Sequence, residues 1–223
     1  QFLPQLHEYH RWDWERVTNG FKLMVWGLFK KMVVADRLAV FVDTVFNNLN
    51  VYEGPSLALA SVFYSFQIYC DFSGYTDIAI GISQVFGFKL TDNFDRPYVA
   101  RSVAEFWRRW HISFSTWLRD YLYIPLGGNR VDPARLYGNL MVVFLVCGLW
   151  HGANWTFVLW GFIHGIFLVN GLISRNIRSR INRTLGLDSA PTIHRYLQIC
   201  ITFVLVSLAW IFFRAASIHD ALD

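Results

Sequence analysis

His151 lies in the run Gly148-Leu149-Trp150-His151-Gly152-Ala153-Asn154-Trp155, between two apolar segments. An imidazole at such depth is costly unless it is hydrogen-bonded or faces a water-filled space, and ionisable groups inside a membrane are functional candidates by default. A neutral ring can take the proton of a hydroxyl nucleophile, and the glycines beside it leave room for a substrate. The other reading is a structural histidine bonded to a nearby carbonyl, and the residues alone weigh the two equally. His164, on the next apolar stretch, reads as structural.

A second group of candidates lies in 104–121 (AEFWRRWHISFSTWLRDY). Taken as one helix at about 100° per residue, this stretch gathers Trp107, Trp110, Phe114, Trp117 and Tyr121 on one face. Arg108, Ser115 and Arg119 then share another, with His111 at its border. Such a helix is either an amphipathic anchor with a solvated basic face or the basic mouth of a cavity that receives an anionic group. Asp71 and Asp77 are six residues apart, about 240° around a helix, so they form no carboxylate dyad. They read as buried hydrogen-bond acceptors near an arginine or histidine. Walker loops, dinucleotide fingerprints, HExxH and G-x-S-x-G are all absent from the sequence. Soluble NTPases, dehydrogenases, zincins and hydrolases thereby lose their main support.

The elements that must hold these residues are apolar helices. Over half of the 223 residues are apolar and only 16% are charged. Residues 196–213 carry no charge and 154–173 only His164, so each can cross most of a hydrocarbon layer about 30 Å thick. Residues 136–150 and 56–70 reach only about 22 Å as helices and read as shorter or tilted spans. The stretch 20–47 keeps Lys22, Lys30, Lys31, Asp36, Arg37 and Asp43, which suits an interfacial or cavity-lining helix. Gly54-Pro55 marks a turn before the 56–70 segment, and Gly127-Gly128-Asn129 a second one.

The net charge is a modest +4. Arginines interleaved with tryptophans, and no nucleic-acid motif, point to membrane-surface charge and not to DNA or RNA. The loop holding Arg175, Arg178, Arg180, Arg183 and Arg195 against a lone Asp188 is expected on the cytoplasmic side. Cys70, Cys147 and Cys200 are too far apart for zinc or a redox pair and read as packing residues. The ends suggest a central piece of a longer chain, with 1–223 as one membrane-embedded region.

Three long stretches carry a resemblance: DFSGYTDIAIGISQVFGFKLTDNFDRPY (71–98), EFWRRWHISFSTWLRDYLYIPLGGNR (105–130) and GLWHGANWTFVLWGFIHG (148–165). Together and in this order they resemble the bacterial polysaccharide branch of the membrane-bound O-acyltransferases, nearest to the alginate-acetylating members and further from those that move D-alanine onto teichoic acid. The resemblance implies an all-α, polytopic transmembrane protein of the inner membrane, with a tunnel admitting donor from the cytoplasm and acceptor from the other face. It makes His151, in the WHG motif, the expected catalytic residue and His111, in the RRWH motif, a second polar residue of the reaction chamber. Arg108, Arg109 and Arg119 are then expected to face the donor's phosphates, with Asp71, Asp77 and Asn154 as polar support. The expected donor is acetyl-CoA or another acyl thioester, with no bound cofactor or metal. The acceptor is a polysaccharide reached through periplasmic acetyltransferase partners. A transporter with a polar cavity and a scaffold for polymer export are the rival readings from other classes.

Overall fold

The computed structural model describes residues 2–222, whose regular elements are all helices, with no β-strand among them. The chain divides into two compact units, one ending at Phe94 and the other starting at Asp95.

In the first unit α1 (Trp14–Leu28) runs through a widened turn, Phe29–Ala35, into α2 (Asp36–Phe46). Asp13 caps α1 by accepting from the backbone N–H groups of Glu15 and Arg16. Within the widened turn the Asp36 N–H reaches back five residues to the Lys31 carbonyl, a π-type bond that re-aims the side chains around it. The third helix, α3 (Pro55–Phe86), starts at Gly54-Pro55, as the turn residues predict, and stops at Gly87, whose φ of 93° is left-handed.

Helices α1 and α3 lie antiparallel with their backbones in close approach. A Cβ on Gly20 would stand 2.6 Å from the Gly81 carbonyl oxygen, and one on Gly74 would stand 2.7 Å from that of Gly27. The seven-residue spacing of both glycine pairs keeps them on one seam, and small residues are what let membrane helices pack this tightly.

Two lysines and two aspartates meet across that seam. Lys30 pairs with Asp77 at 2.7 Å and donates to Ser73 Oγ, while Lys31 bridges Asp71 at 2.6 Å and Asp36 at 3.0 Å. Asp71 and Asp77 therefore find lysines and not the arginine or histidine expected. The physical reason is the widened turn, which aims two consecutive lysines of one helix at two carboxylates of its neighbour. The 56–70 segment is likewise longer than expected, because α3 continues through both aspartates for 32 residues.

In the second unit three helices are long and apolar enough to cross a membrane: α6 (Pro133–His151), α7 (Trp155–Ile173) and α9 (Pro191–Arg214). The first of these is 19 residues long, close to 28 Å, because its start lies upstream at the Asp132 cap and Pro133. Val142, Leu149, Phe162, Ile166, Ile201, Val204 and Leu208 are exposed on these helices, a surface suited to lipid and not to water. Helices α6 and α7 also meet through glycines. Gly161 faces the Phe144 carbonyl, Gly148 the Phe157 carbonyl and Gly165 the Met141 sulfur, an antiparallel register.

Before these spans come α4 (Val103–Arg109) and α5 (Ile112–Leu118), the short α8 (Arg175–Thr184) lies between α7 and α9, and α10 (Ile218–Leu222) follows α9. Gly127 and Gly128 have φ of 105° and 57°, forming the expected turn, which Asn139 holds by donating to the carbonyls of Leu126 and Gly128. All three cysteines are free. Cys147 is buried and Cys70 half-buried, but Cys200 lies exposed on α9 and is not a packing residue within the described fold.

Candidate functional site

The stretch expected as one helix over 104–121 is broken in the middle. Trp110 is extended and His111 left-handed (φ 44°, ψ 56°), so α4 stops and α5 starts afresh with His111 as its cap. A left-handed non-glycine residue costs about 1–2 kcal/mol. Histidine is among the residue types that tolerate it best. Ser115 repairs the break, its hydroxyl donating to the freed Trp110 carbonyl at 3.1 Å. The other end of α4 is held by Ser102, which accepts from the Glu105 N–H.

This break sorts the polar residues onto two sides. On one side Arg108, Ser115, Arg119 and Tyr123 line a cavity of about 320 Å³ whose remaining wall is apolar and includes Trp107, Leu118, Val143, Phe144 and Leu168. The helical-face reading thus places Arg108, Ser115 and Arg119 together correctly, although the helix is not continuous. Arg119 also pairs with its neighbour Asp120 at 2.7 Å. Arg109 does not line the cavity. Its guanidinium is held by Glu105 at 2.8 Å and reaches Asp95. Burial pushes the Glu105 carboxyl up, but the Arg101 N–H and the Arg109 guanidinium outweigh it and hold the pKa below the ordinary carboxylate value.

On the other side are the two histidines. His151 is the last residue of α6, and its ring is boxed by Trp160 at 5.2 Å, Phe213 at 5.0 Å, Trp150 at 5.0 Å and Phe114 at 6.3 Å. No described side chain or backbone group hydrogen-bonds to the His151 ring, and its nitrogens are not among the sealed, unpartnered atoms. His111 approaches from the α4–α5 break, its ring 5.0 Å from Phe114 and 6.2 Å from Trp150. Burial first, and then the nearby His151, lower the His111 pKa to about 4. At neutral pH His111 is therefore an uncharged hydrogen-bonding ring.

A pH dependence follows. The pKa of His111 is depressed on folding, so the unfolded chain binds the proton first as acid is added. Its contribution to stability is complete above about 6.5 and declines as pH falls from there toward about 4. Asparagine tolerates the same left-handed backbone and does not titrate. His111→Asn is therefore expected to show a shallower fall in unfolding temperature between pH 6.5 and 4.5 than the native protein. Thermal scans in detergent check this, and equal slopes would contradict it.

Asn154 caps α7 by accepting from the Thr156 N–H, and its amide donates to the Ala216 carbonyl at 3.1 Å. It therefore fixes the loop immediately after His151. His164 is fully buried and accepts from the Trp107 indole N–H through Nδ1 at 3.2 Å, in keeping with a structural reading. Asp71 and Asp77 have their partners within the first unit. No cluster of metal-ligating side chains exists among the described residues.

Sequence reasoning missed the aromatic enclosure. Trp160 on α7 and Phe213 on α9 both face His151, and Trp107 and Trp160, 5.7 Å apart, form the chain of ring contacts between the cavity and that histidine. Nothing local in the sequence marks Phe213, which lies 62 residues downstream of His151.

The chain is 44% identical over 207 residues to "Probable alginate O-acetylase AlgI" of Pseudomonas putida, covering 93% of this chain and 40% of that protein. It is 43% identical over 222 residues to the peptidoglycan O-acetyltransferase of Helicobacter pylori, 100% of this chain and 40% of the relative. Identity to the teichoic acid D-alanyltransferase of Streptococcus thermophilus is 34% over 175 residues, 73% of this chain and 42% of the relative. The chain thus spans about two fifths of the length of these relatives. The profile of the membrane-bound O-acyltransferase family matches residues 2–213, which takes in the broken helix with His111, the α6 terminus with His151 and the helices around them. This chain belongs to the membrane-bound O-acyltransferase family.

Proposed function

We propose that the full-length protein moves an acetyl group from a cytoplasmic thioester donor, acetyl-CoA or a similar carrier, toward hydroxyls of an exported polysaccharide, alginate or a related exopolysaccharide. It works in the bacterial inner membrane and delivers to periplasmic acetyltransferase partners. The observation that carries this reading is His151, an imidazole at the end of an apolar helix with no described hydrogen-bond partner for its ring. Identity to the two O-acetyl-transferring relatives runs higher and covers more of the chain than that to the D-alanyl relative, which favours acetyl over D-alanyl as the group moved.

A thioester is already activated, so the enzyme must hold it, deprotonate the acceptor and stabilise a transient oxyanion. His151 takes the proton of the acceptor hydroxyl as its oxygen bonds to the acyl carbon. The C–S bond then breaks and the imidazolium returns the proton to the departing sulfur. His111, neutral at working pH, orients the acceptor hydroxyl. Arg108 and Arg119 receive the donor's phosphates at the mouth of the cavity, while Arg109 serves Glu105 and Asp95. Asn154 supports the site by holding the loop after His151, and Asp71 and Asp77 support the first unit through Lys31 and Lys30.

Steady-state kinetics with labelled acetyl thioester and the purified full-length protein test the donor assignment. A charged hydrogen bond to a phosphate contributes about 1.5–3 kcal/mol. Arg108→Gln and Arg119→Gln are each expected to raise the donor KM by roughly tenfold or more and to leave kcat near native. Arg109→Gln is expected to lower stability with a smaller change in KM. An unchanged donor KM in both cavity variants would contradict the assignment.

A further inference from the structure

The connection between α7 and α9 has a property that acyl transfer does not require. Helix α8 carries Arg175, Arg178, Arg180 and Arg183, all exposed, and no acidic residue. Arg178 is committed, donating to the Gly171 carbonyl at the end of α7 and so tying α8 to that span. No carboxylate lies within ion-pair reach of the other three among the described residues, and the sole acid between residues 174 and 195 is Asp188.

The same short helix, with its C-cap Leu185, exposes a stripe of large apolar side chains. Ile177 is 61% exposed, Ile181 49% and Leu185 66%, at four-residue spacing and hence on one face. At about 100° per residue, Arg175 and Arg180 flank this stripe on opposite sides and Arg183 lies across from it. An apolar stripe bordered by arginines suits neither water nor hydrocarbon. It suits the boundary between them, with the stripe in the acyl region and the guanidiniums among headgroups.

Position in the chain places α8 at that boundary. One residue, Ser174, separates it from the span α7, whose last residues Leu172 and Ile173 are exposed, and α9 begins at Pro191 with Ile193, Tyr196 and Leu197 exposed. Its apolar stripe therefore lies between exposed apolar residues at the adjoining ends of the two spans. A protein partner would need to cover both that stripe and the neighbouring lipid-facing residues.

We propose that α8 is a binding site for anionic phospholipid, lying flat in the membrane surface with Ile177, Ile181 and Leu185 beneath, Arg175 and Arg180 on lipid phosphates to either side, and Arg183 adding positive charge above them. Zwitterionic headgroups offer the same phosphate with a compensating ammonium, so the site discriminates by net charge. Each basic residue near an anionic surface contributes about 1 kcal/mol, so three give a preference of at least about tenfold.

The test uses the full-length protein in nanodiscs of phosphatidylcholine alone or mixed with phosphatidylglycerol, with retained lipid counted by native mass spectrometry. The native protein is expected to enrich phosphatidylglycerol. The triple variant Arg175→Gln/Arg180→Gln/Arg183→Gln is expected to lose that enrichment and keep its unfolding temperature in phosphatidylcholine. The corresponding triple lysine variant keeps the charge and is expected to retain the enrichment. Ile177→Ser/Ile181→Ser is expected to weaken retention of both lipids. Equal retention of phosphatidylglycerol by native and triple-glutamine proteins would overturn the proposal. So would a native protein that shows no lipid preference while the same arginines govern its association with an acidic protein. Acyl transfer is not the readout, so the lipid site and the catalytic reading stand or fall separately.

Discussion

His151→Ala is expected to lower acyl transfer by about 10²–10⁴-fold, the range lost when a positioned general base is removed, while the protein still accumulates in the membrane. Retained folding follows from the surroundings. His151 makes ring contacts but no described hydrogen bond, so alanine leaves no broken polar network behind. Its neighbours Trp160 and Phe213 remain packed on one another at 5.2 Å. The loss should fall on kcat and kcat/KM alike, since the proton moves in the transition state and not on binding. His151→Gln, which keeps polarity and approximate volume but is no base, is expected to be equally inactive. A variant folded as well as the native protein and active within a few-fold of it would return His151 to a structural role.

The second large effect concerns stability. At Gly161 a Cβ would meet the carbonyl oxygen of Phe144, with the Phe144 carbonyl carbon at 3.1 Å and Gly148 Cα at 3.2 Å. All three are backbone atoms, which cannot rotate away as a side chain would. Overpacking a well-packed interior costs typically about 1–3 kcal/mol. Gly161→Val, on a backbone-to-backbone contact, is expected at or beyond the top of that range. Because α6 ends in His151, forcing α6 and α7 apart also displaces the site. The same helices supply their own control. Gly138 and Gly171 have nothing within 4 Å of an added Cβ. Alanine there is expected to be neutral or to stabilise by about 0.5–1 kcal/mol through helix propensity. Thermal unfolding of the purified variants, with the folded yield from size exclusion, checks both. Equal behaviour at Gly161 and Gly138 would contradict the seam.

What could be read from the sequence follows the range of the physics. Apolar stretches long enough to cross a bilayer report themselves locally, so 154–173 and 196–213 lie within α7 and α9 apart from Asn154, which caps α7. The Gly54-Pro55 and Gly127-Gly128 turns are equally legible, because glycine and proline act on their own backbone. Grouping Arg108, Ser115 and Arg119 by helical face succeeded because the break at His111 still leaves all three beside one cavity. The break itself was not legible. Most residues of 104–121 favour a helix, and nothing local announces a left-handed histidine set among the buried rings of Trp107, Trp110 and Phe114. Partners from distant helices were also out of reach. Lys30 and Lys31 for the two aspartates depend on a widened turn, and Phe213 on how α9 packs. Motif resemblance singled out both histidines but not the Trp107–Trp160 contact between His151 and the cavity.

The most direct measurement is ester-linked acetyl on the secreted polysaccharide of cells lacking their own copy, complemented with the full-length native protein or with His151→Ala at matched membrane abundance. Acetyl is expected to be restored by the native protein and to be absent with the variant. Normal acetylation with His151→Ala would contradict it.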